Sequence, residues 1–134
     1  MDNKHALSQY RLEQAAECLD EAKILLASGK YKGTANRSYY CVFNAMRSIL
    51  ALEEVDFKKH RAVISYFRQN YIKTGTLEEK LSTILRDLFE IRTASDYDDG
   101  YIISKAEITE QLENAEYFLN QVKKFLDTTT NPIV

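Results

Sequence analysis

A chain of 134 residues has room for one domain and too little for two, and with 45% hydrophobic residues, 28% charged residues, four glycines and one proline it reads as a folded globular chain poor in helix breakers. The net charge of −2 is unevenly spread: residues 1–29 carry 3 basic and 5 acidic side chains, residues 30–73 carry 9 and 3, and residues 74–134 carry 6 and 12. No apolar run approaches the roughly 18 to 20 residues that span a bilayer, and the opening MDNKHALSQYRLEQ lacks the apolar core of a secretory signal, so no membrane contact and a cytoplasmic location are expected.

A first helix is expected over about residues 4–28, where Leu12, Ala15, Ala16, Leu19, Ala22, Leu25 and Leu26 recur at three- and four-residue steps. Gly29 is a natural stop for it. A second helix, from about Tyr31 to Leu52, should bury Ala35, Tyr39, Val42, Phe43, Met46, Ile49 and Leu50 and pack antiparallel on the first across a short turn. Cys18 and Cys41 fall in these two apolar stripes with no CxxC or Cys/His spacing around them; buried free thiols are expected, with no metal site or cofactor.

The acidic turn at residues 53–56 leads to a short helix holding Val63, Ile64, Phe67 and Tyr71, closed by Lys73-Thr74-Gly75. This middle third is a basic block, densest at Lys58, Lys59, His60, Arg61 and Arg68, which suits either a phosphate-binding face or a solvated helix surface. Thr76 with Glu79 has the capping-box pattern for a fourth helix lined by Leu77, Leu81, Ile84, Leu85, Leu88 and Ile91. Residues 96–100 break that pattern. Ser104 with Glu107 repeats the cap signal for a last helix lined by Ile108, Leu112, Ala115, Leu119, Val122 and Leu126, and residues 128–134 are expected to fray. The predicted fold is an all-α, single-domain antiparallel helical bundle over residues 4–127, with four long helices and one short one.

One residue conflicts with its own pattern. Arg92 lies four residues after Leu88 and seven after Leu85, on a stripe that should be apolar. A guanidinium stays charged, so it either pairs with a carboxylate such as Asp96 one turn on or awaits an anionic ligand.

The segment Arg92-Thr93-Ala94-Ser95-Asp96-Tyr97-Asp98-Asp99-Gly100-Tyr101 is taken together with Arg37-Ser38-Tyr39-Tyr40-Cys41-Val42-Phe43, with His60 ahead of Val63 and Phe67, and with Ala115-Glu116-Tyr117-Phe118. This ordered set, over about residues 6–126, resembles the HEPN domain family. The resemblance implies a helical bundle that commonly dimerises. In prokaryotes it also implies a component of a toxin-antitoxin or defence module partnered with a minimal nucleotidyltransferase. Many members are metal-independent ribonucleases whose motif is an Arg followed after four to six residues by a His, the motifs of two protomers meeting across the dimer cleft. By that resemblance Arg92 would contact the scissile phosphate.

The chain departs from the pattern in carrying Tyr97 where the His would stand and no His downstream. A phenol of ordinary pKa near 10 is a poor base at neutral pH, so Tyr97 is better placed to hydrogen-bond phosphate or to stack on a base. His60 is the substitute proton shuttle that the chain offers beyond its N-terminus; its alternative role is to stabilise the start of the third helix. Arg37, Arg47 and Tyr40 are candidates for gripping RNA or phosphate, a cation beside aromatics being suited to backbone and base together, against the plainer role of packed, satisfied side chains. Tyr101 is a candidate acceptor of a nucleotidyl group, or else packs before the last helix. Two main functions follow: a ribonuclease toxin, or a non-catalytic HEPN module that binds a nucleotide or a partner nucleotidyltransferase. A structural helical adaptor is the third.

Overall fold

The computed structural model describes residues 2–130. Five α-helices follow in order: α1 (Asn3–Ala27), α2 (Tyr31–Leu52), α3 (His60–Phe67), α4 (Lys80–Tyr97) and α5 (Lys105–Thr130); a π-turn (Arg68–Ile72) continues α3. No strand occurs among the described residues, and the all-α bundle of four long helices and one short one is what the sequence predicts.

The α1–α2 hairpin comes first along the chain, and two glycines make it possible. Gly29 turns the chain at φ 74°, where a side chain would be strained, and a Cβ on Gly33 would lie 3.1 Å from Leu25 Cδ1, so the helices approach closely just past the turn. Arg11 reaches the carbonyl of Arg47 at 3.2 Å, Cys18 meets Arg37 and Asn44, and Leu25 meets Gly33. Partner numbers fall as α1 numbers rise, so the two helices are antiparallel.

Thirteen of the 22 residues of α2 are buried, which makes it the central helix, in contact with α1, α3, α4 and α5. Its Tyr39, Met46 and Ile49 pack into one core with Phe67, Leu85 and Phe118 from three other elements. Removing a side chain of this size from water contributes roughly 1.5–3 kcal/mol, enough to override weak local preferences along the helices. Both cysteines are buried and free.

The fourth helix starts later than its cap signal predicts. The Leu77 amide donates to the Tyr71 carbonyl at 2.8 Å, tying this stretch to the end of the π-turn, and the Thr76 hydroxyl lies 2.8 Å from that of Thr74. The helix therefore begins at Lys80, with no side-chain cap. The second cap forms: the Glu107 amide donates to Ser104 Oγ at 3.1 Å. At the other end α4 runs on to Tyr97, past the expected break at 96, and α5 continues to Thr130, past the expected start of fraying at 128. The rest of that tail, residues 131–134, lies outside the described residues.

Candidate functional site

On the mostly buried α2, the half-exposed positions Arg37, Tyr40, Asn44 and Arg47 step by three and four, a polar stripe along its accessible side. The structure brings Arg92 from α4 and His60 from the start of α3 against this stripe. Arg92 lies with its Cζ 5.3 Å from the Tyr39 ring centre and 5.5 Å from that of Tyr40, and its Nη2 donates to the Tyr40 hydroxyl at 3.2 Å. The other side of the cluster is His60, whose Nδ1 is 3.1 Å from the Tyr39 hydroxyl and whose ring stacks on Phe43 at 4.1 Å. Tyr39 thus touches both the arginine and the histidine. Sequence reading places it on the buried face and in the family segment but gives it no role of its own; the signal for one is that it is a buried phenol, which needs a polar partner.

Arg92 does pair with Asp96, as its one-turn spacing allows: Nε lies 3.0 Å from Asp96 Oδ2. The Nε–H is nevertheless not aimed at the carboxylate and makes no hydrogen bond, and the Arg92 side chain is 18% exposed. Two aromatic faces, one hydroxyl and a misaligned carboxylate hold the charge. Each cation–π contact is worth about 0.5–1 kcal/mol at an exposed site and more when desolvated, which helps offset the cost of placing a guanidinium on an apolar stripe.

The remaining cations divide. Arg37 also sits over Tyr40, 5.3 Å from the ring centre, and is steadied by Asn36 Oδ1 and by Glu21 at 3.6 Å. Arg47 donates to Asp56 Oδ2 at 2.9 Å, and Arg11 reaches the same oxygen at 3.2 Å. Burial works to raise the Asp56 carboxyl, but hydrogen bonds from Arg47 and the Phe57 amide, with the charges of Arg47 and Arg11, hold it below its ordinary value. A cavity of about 330 Å³ opens beside this pair, lined by Phe43, Arg47, Asp56, Phe57, Lys58 and His60.

Tyr97 is not brought to the cluster. Five residues on a helix turn it about 140° from Arg92, and it is 77% exposed, its side chain making no hydrogen bond, ion pair or ring contact to another described residue. Tyr101 is half-buried against Ala35, Ile103 and Ile108, and burial, then Glu107, raise its hydroxyl pKa. Of the two tyrosines, Tyr97 is the exposed one. No group of three or more His, Cys, Asp or Glu residues that could hold a metal ion occurs among the described residues.

Burial, followed by the positive charges of Arg92 and Arg47, holds the His60 imidazole below its ordinary 6.5, while burial pushes the Tyr39 phenol up against the opposing pull of Arg92. At neutral pH the pair is a neutral imidazole beside a protonated phenol. A histidine with a depressed folded pKa binds fewer protons folded than unfolded between that value and 6.5, so its contribution to stability is lost as pH falls through this window. Thermal unfolding followed by circular dichroism should shift to lower temperature between about pH 7 and about pH 5, and His60→Gln should flatten that shift. Equal slopes in the two proteins would mean that the imidazole does not sit in this environment.

The sequence model of the HEPN domain matches residues 8–126. A UPF0332 protein of Thermotoga maritima is 29% identical over 95% of this chain and 96% of its own length. Two proteins of Methanocaldococcus jannaschii, named "Putative toxin MJ0142" and "Putative toxin MJ0605", are 31% and 30% identical, over 86% and 88% of this chain and 78% and 87% of theirs. Among the described residues no helix is long and apolar enough to cross a membrane.

Proposed function

Because the chain belongs to the HEPN domain family, we propose that it is a toxin-type HEPN module acting in the cytoplasm as a metal-independent endoribonuclease, with Arg92 as phosphate ligand and His60 as proton shuttle. The observation that carries this reading is the contact of both residues with Tyr39. The toxin assignment draws support from the names of two relatives.

In this mechanism the neutral His60 takes the proton of a ribose 2′-hydroxyl. The oxygen attacks the adjacent phosphorus, and the bond from phosphorus to the 5′-oxygen breaks, leaving a 2′,3′-cyclic phosphate. The 5′-oxygen receives the proton back from the imidazolium. Arg92, already flanked by aromatics and short of aligned partners, meets the charge that develops on the non-bridging oxygens. Arg37 and Tyr40 lie alongside for the backbone and a base, and Arg47 borders the cavity at His60. The working unit is a homodimer, restrained by a cognate minimal nucleotidyltransferase.

A second reading is favoured by Tyr97 in place of the motif histidine. In it the chain is a non-catalytic module that binds a nucleotide or the nucleotidyltransferase, with exposed Tyr97, rather than Tyr101, accessible to modification. One assay separates the two. Purified protein incubated with single-stranded RNA in excess chelator should yield fragments ending in 2′,3′-cyclic phosphate. RNA left intact at micromolar protein would refute the nuclease and leave the binding module.

A further inference from the structure

A second concave site lies beside Phe89, next to the Arg92 cluster. Between the α3–π-turn segment and α4 is a groove of about 460 Å³ whose lining includes Arg61, Arg68, Lys73, Arg86, Phe89 and Glu90. Four cations face one acid there. Arg86 is paired with its neighbour Asp87 at 3.1 Å. The other three cations make no ion pair among the described residues. Arg68 is fixed by Ser82, donating from Nε to Oγ at 3.0 Å and from Nη2 to the carbonyl at 3.4 Å. Arg61 lies over the Phe89 ring, its Cζ 5.9 Å from the centre, and Lys73 has no side-chain partner.

The groove adjoins the cluster through packed rings rather than through an open channel. Phe89 meets Tyr39 edge-on at 5.9 Å, and Tyr39 is the ring on which Arg92 rests. Arg61 follows His60 directly in the chain, so one groove wall begins where the proton shuttle ends. Its guanidinium is backed by a ring on one face and the residue is otherwise exposed, a planar surface that suits a nucleobase, while unpaired Arg61, Arg68 and Lys73 suit phosphate.

We propose that this groove is a flanking-nucleotide subsite, taking a base and phosphate of a single-stranded RNA whose scissile phosphate lies at Arg92. The proposal rests on the reading of the Arg92–His60 cluster as an RNA site. It explains why the basic block of the sequence faces α4 at this point.

The test is fluorescence anisotropy with a 2′-O-methyl RNA, which cannot be cleaved, of about ten nucleotides and with the corresponding dinucleotide. The double variant R61A/K73E changes two exposed side chains that pair with no carboxylate, and unchanged thermal melting would verify its fold. It should weaken ten-mer binding by about 10-fold or more and lower the salt slope by roughly 0.7, the contribution of one phosphate neutralised on a single strand. Dinucleotide binding should stay near wild type. Arg92→Ala should weaken both ligands. Wild-type affinity of R61A/K73E for the ten-mer, with both ligands still sensitive to Arg92→Ala, would overturn the subsite and leave the cluster reading intact. Insensitivity of both ligands to Arg92→Ala would overturn the cluster reading and the subsite with it. Displacement of the ten-mer by poly-aspartate as effectively as by unlabelled RNA would reassign the groove to an acidic protein.

Discussion

Replacing His60 with glutamine should lower RNA cleavage by about 10²- to 10⁴-fold while leaving RNA binding within a few-fold of wild type, the range that a single positioned acid–base group contributes. The surroundings of the imidazole suit it to proton transfer. Its Nδ1 is engaged by the Tyr39 hydroxyl, its face by Phe43, and its charge state is set by burial with Arg92 and Arg47 nearby. Glutamine keeps a polar end that can meet Tyr39 but cannot exchange a proton near neutrality. Single-turnover cleavage and anisotropy on the same preparations separate the two effects. Cleavage by His60→Gln at the wild-type rate would remove His60 from the mechanism and require another base.

Arg92→Ala should reduce cleavage by about 10²- to 10³-fold, the typical cost of deleting one donor to the developing charge, and should also weaken RNA binding. Arg92→Lys should restore little of this. The native side chain is a planar fork spanning two ring faces and the Tyr40 hydroxyl, and an ammonium reproduces neither the stacking nor the paired donors. Stability is the readout that distinguishes this role from an internal strut. If Arg92 only pairs with Asp96, Arg92→Ala and Asp96→Asn should both lower the melting temperature and neither should change cleavage. The poor alignment of that pair argues for a small effect of Asp96→Asn on stability, with the large effect on cleavage confined to Arg92→Ala.

Much of the bundle is legible from apolar spacing. The second helix runs from Tyr31 to Leu52 as its stripe predicts, and Gly29 lies in the left-handed region that a tight helix-to-helix turn requires. The short helix is also where Val63, Ile64 and Phe67 place it, although its last turn is π-helical, closed by the Lys73 amide on the Arg68 carbonyl at 2.9 Å. Cap signals are less dependable because a cap is one of several claims on the same backbone groups. Ser104 keeps its cap, whereas the chain after Thr76 is committed to Tyr71.

The site divides in the same way. That Arg92 is anomalous can be read from its position on an apolar stripe, because periodicity reports which face of a helix is buried, a property each helix has alone. That Tyr39 joins Arg92 to His60, that Tyr97 swings clear of both, and that Arg61, Arg68 and Lys73 share a groove with α4 are properties of pairs of elements. His60 is 21 residues from Tyr39, and Arg92 is 52 from Tyr40. No local preference links residues so far apart. The helices, their buried faces and the family's motif residues are written in the order of the side chains. Which of those residues meet is written nowhere along the chain, because hydrogen bonds and charge effects act over a few ångströms and only the packing of one helix on another sets those distances.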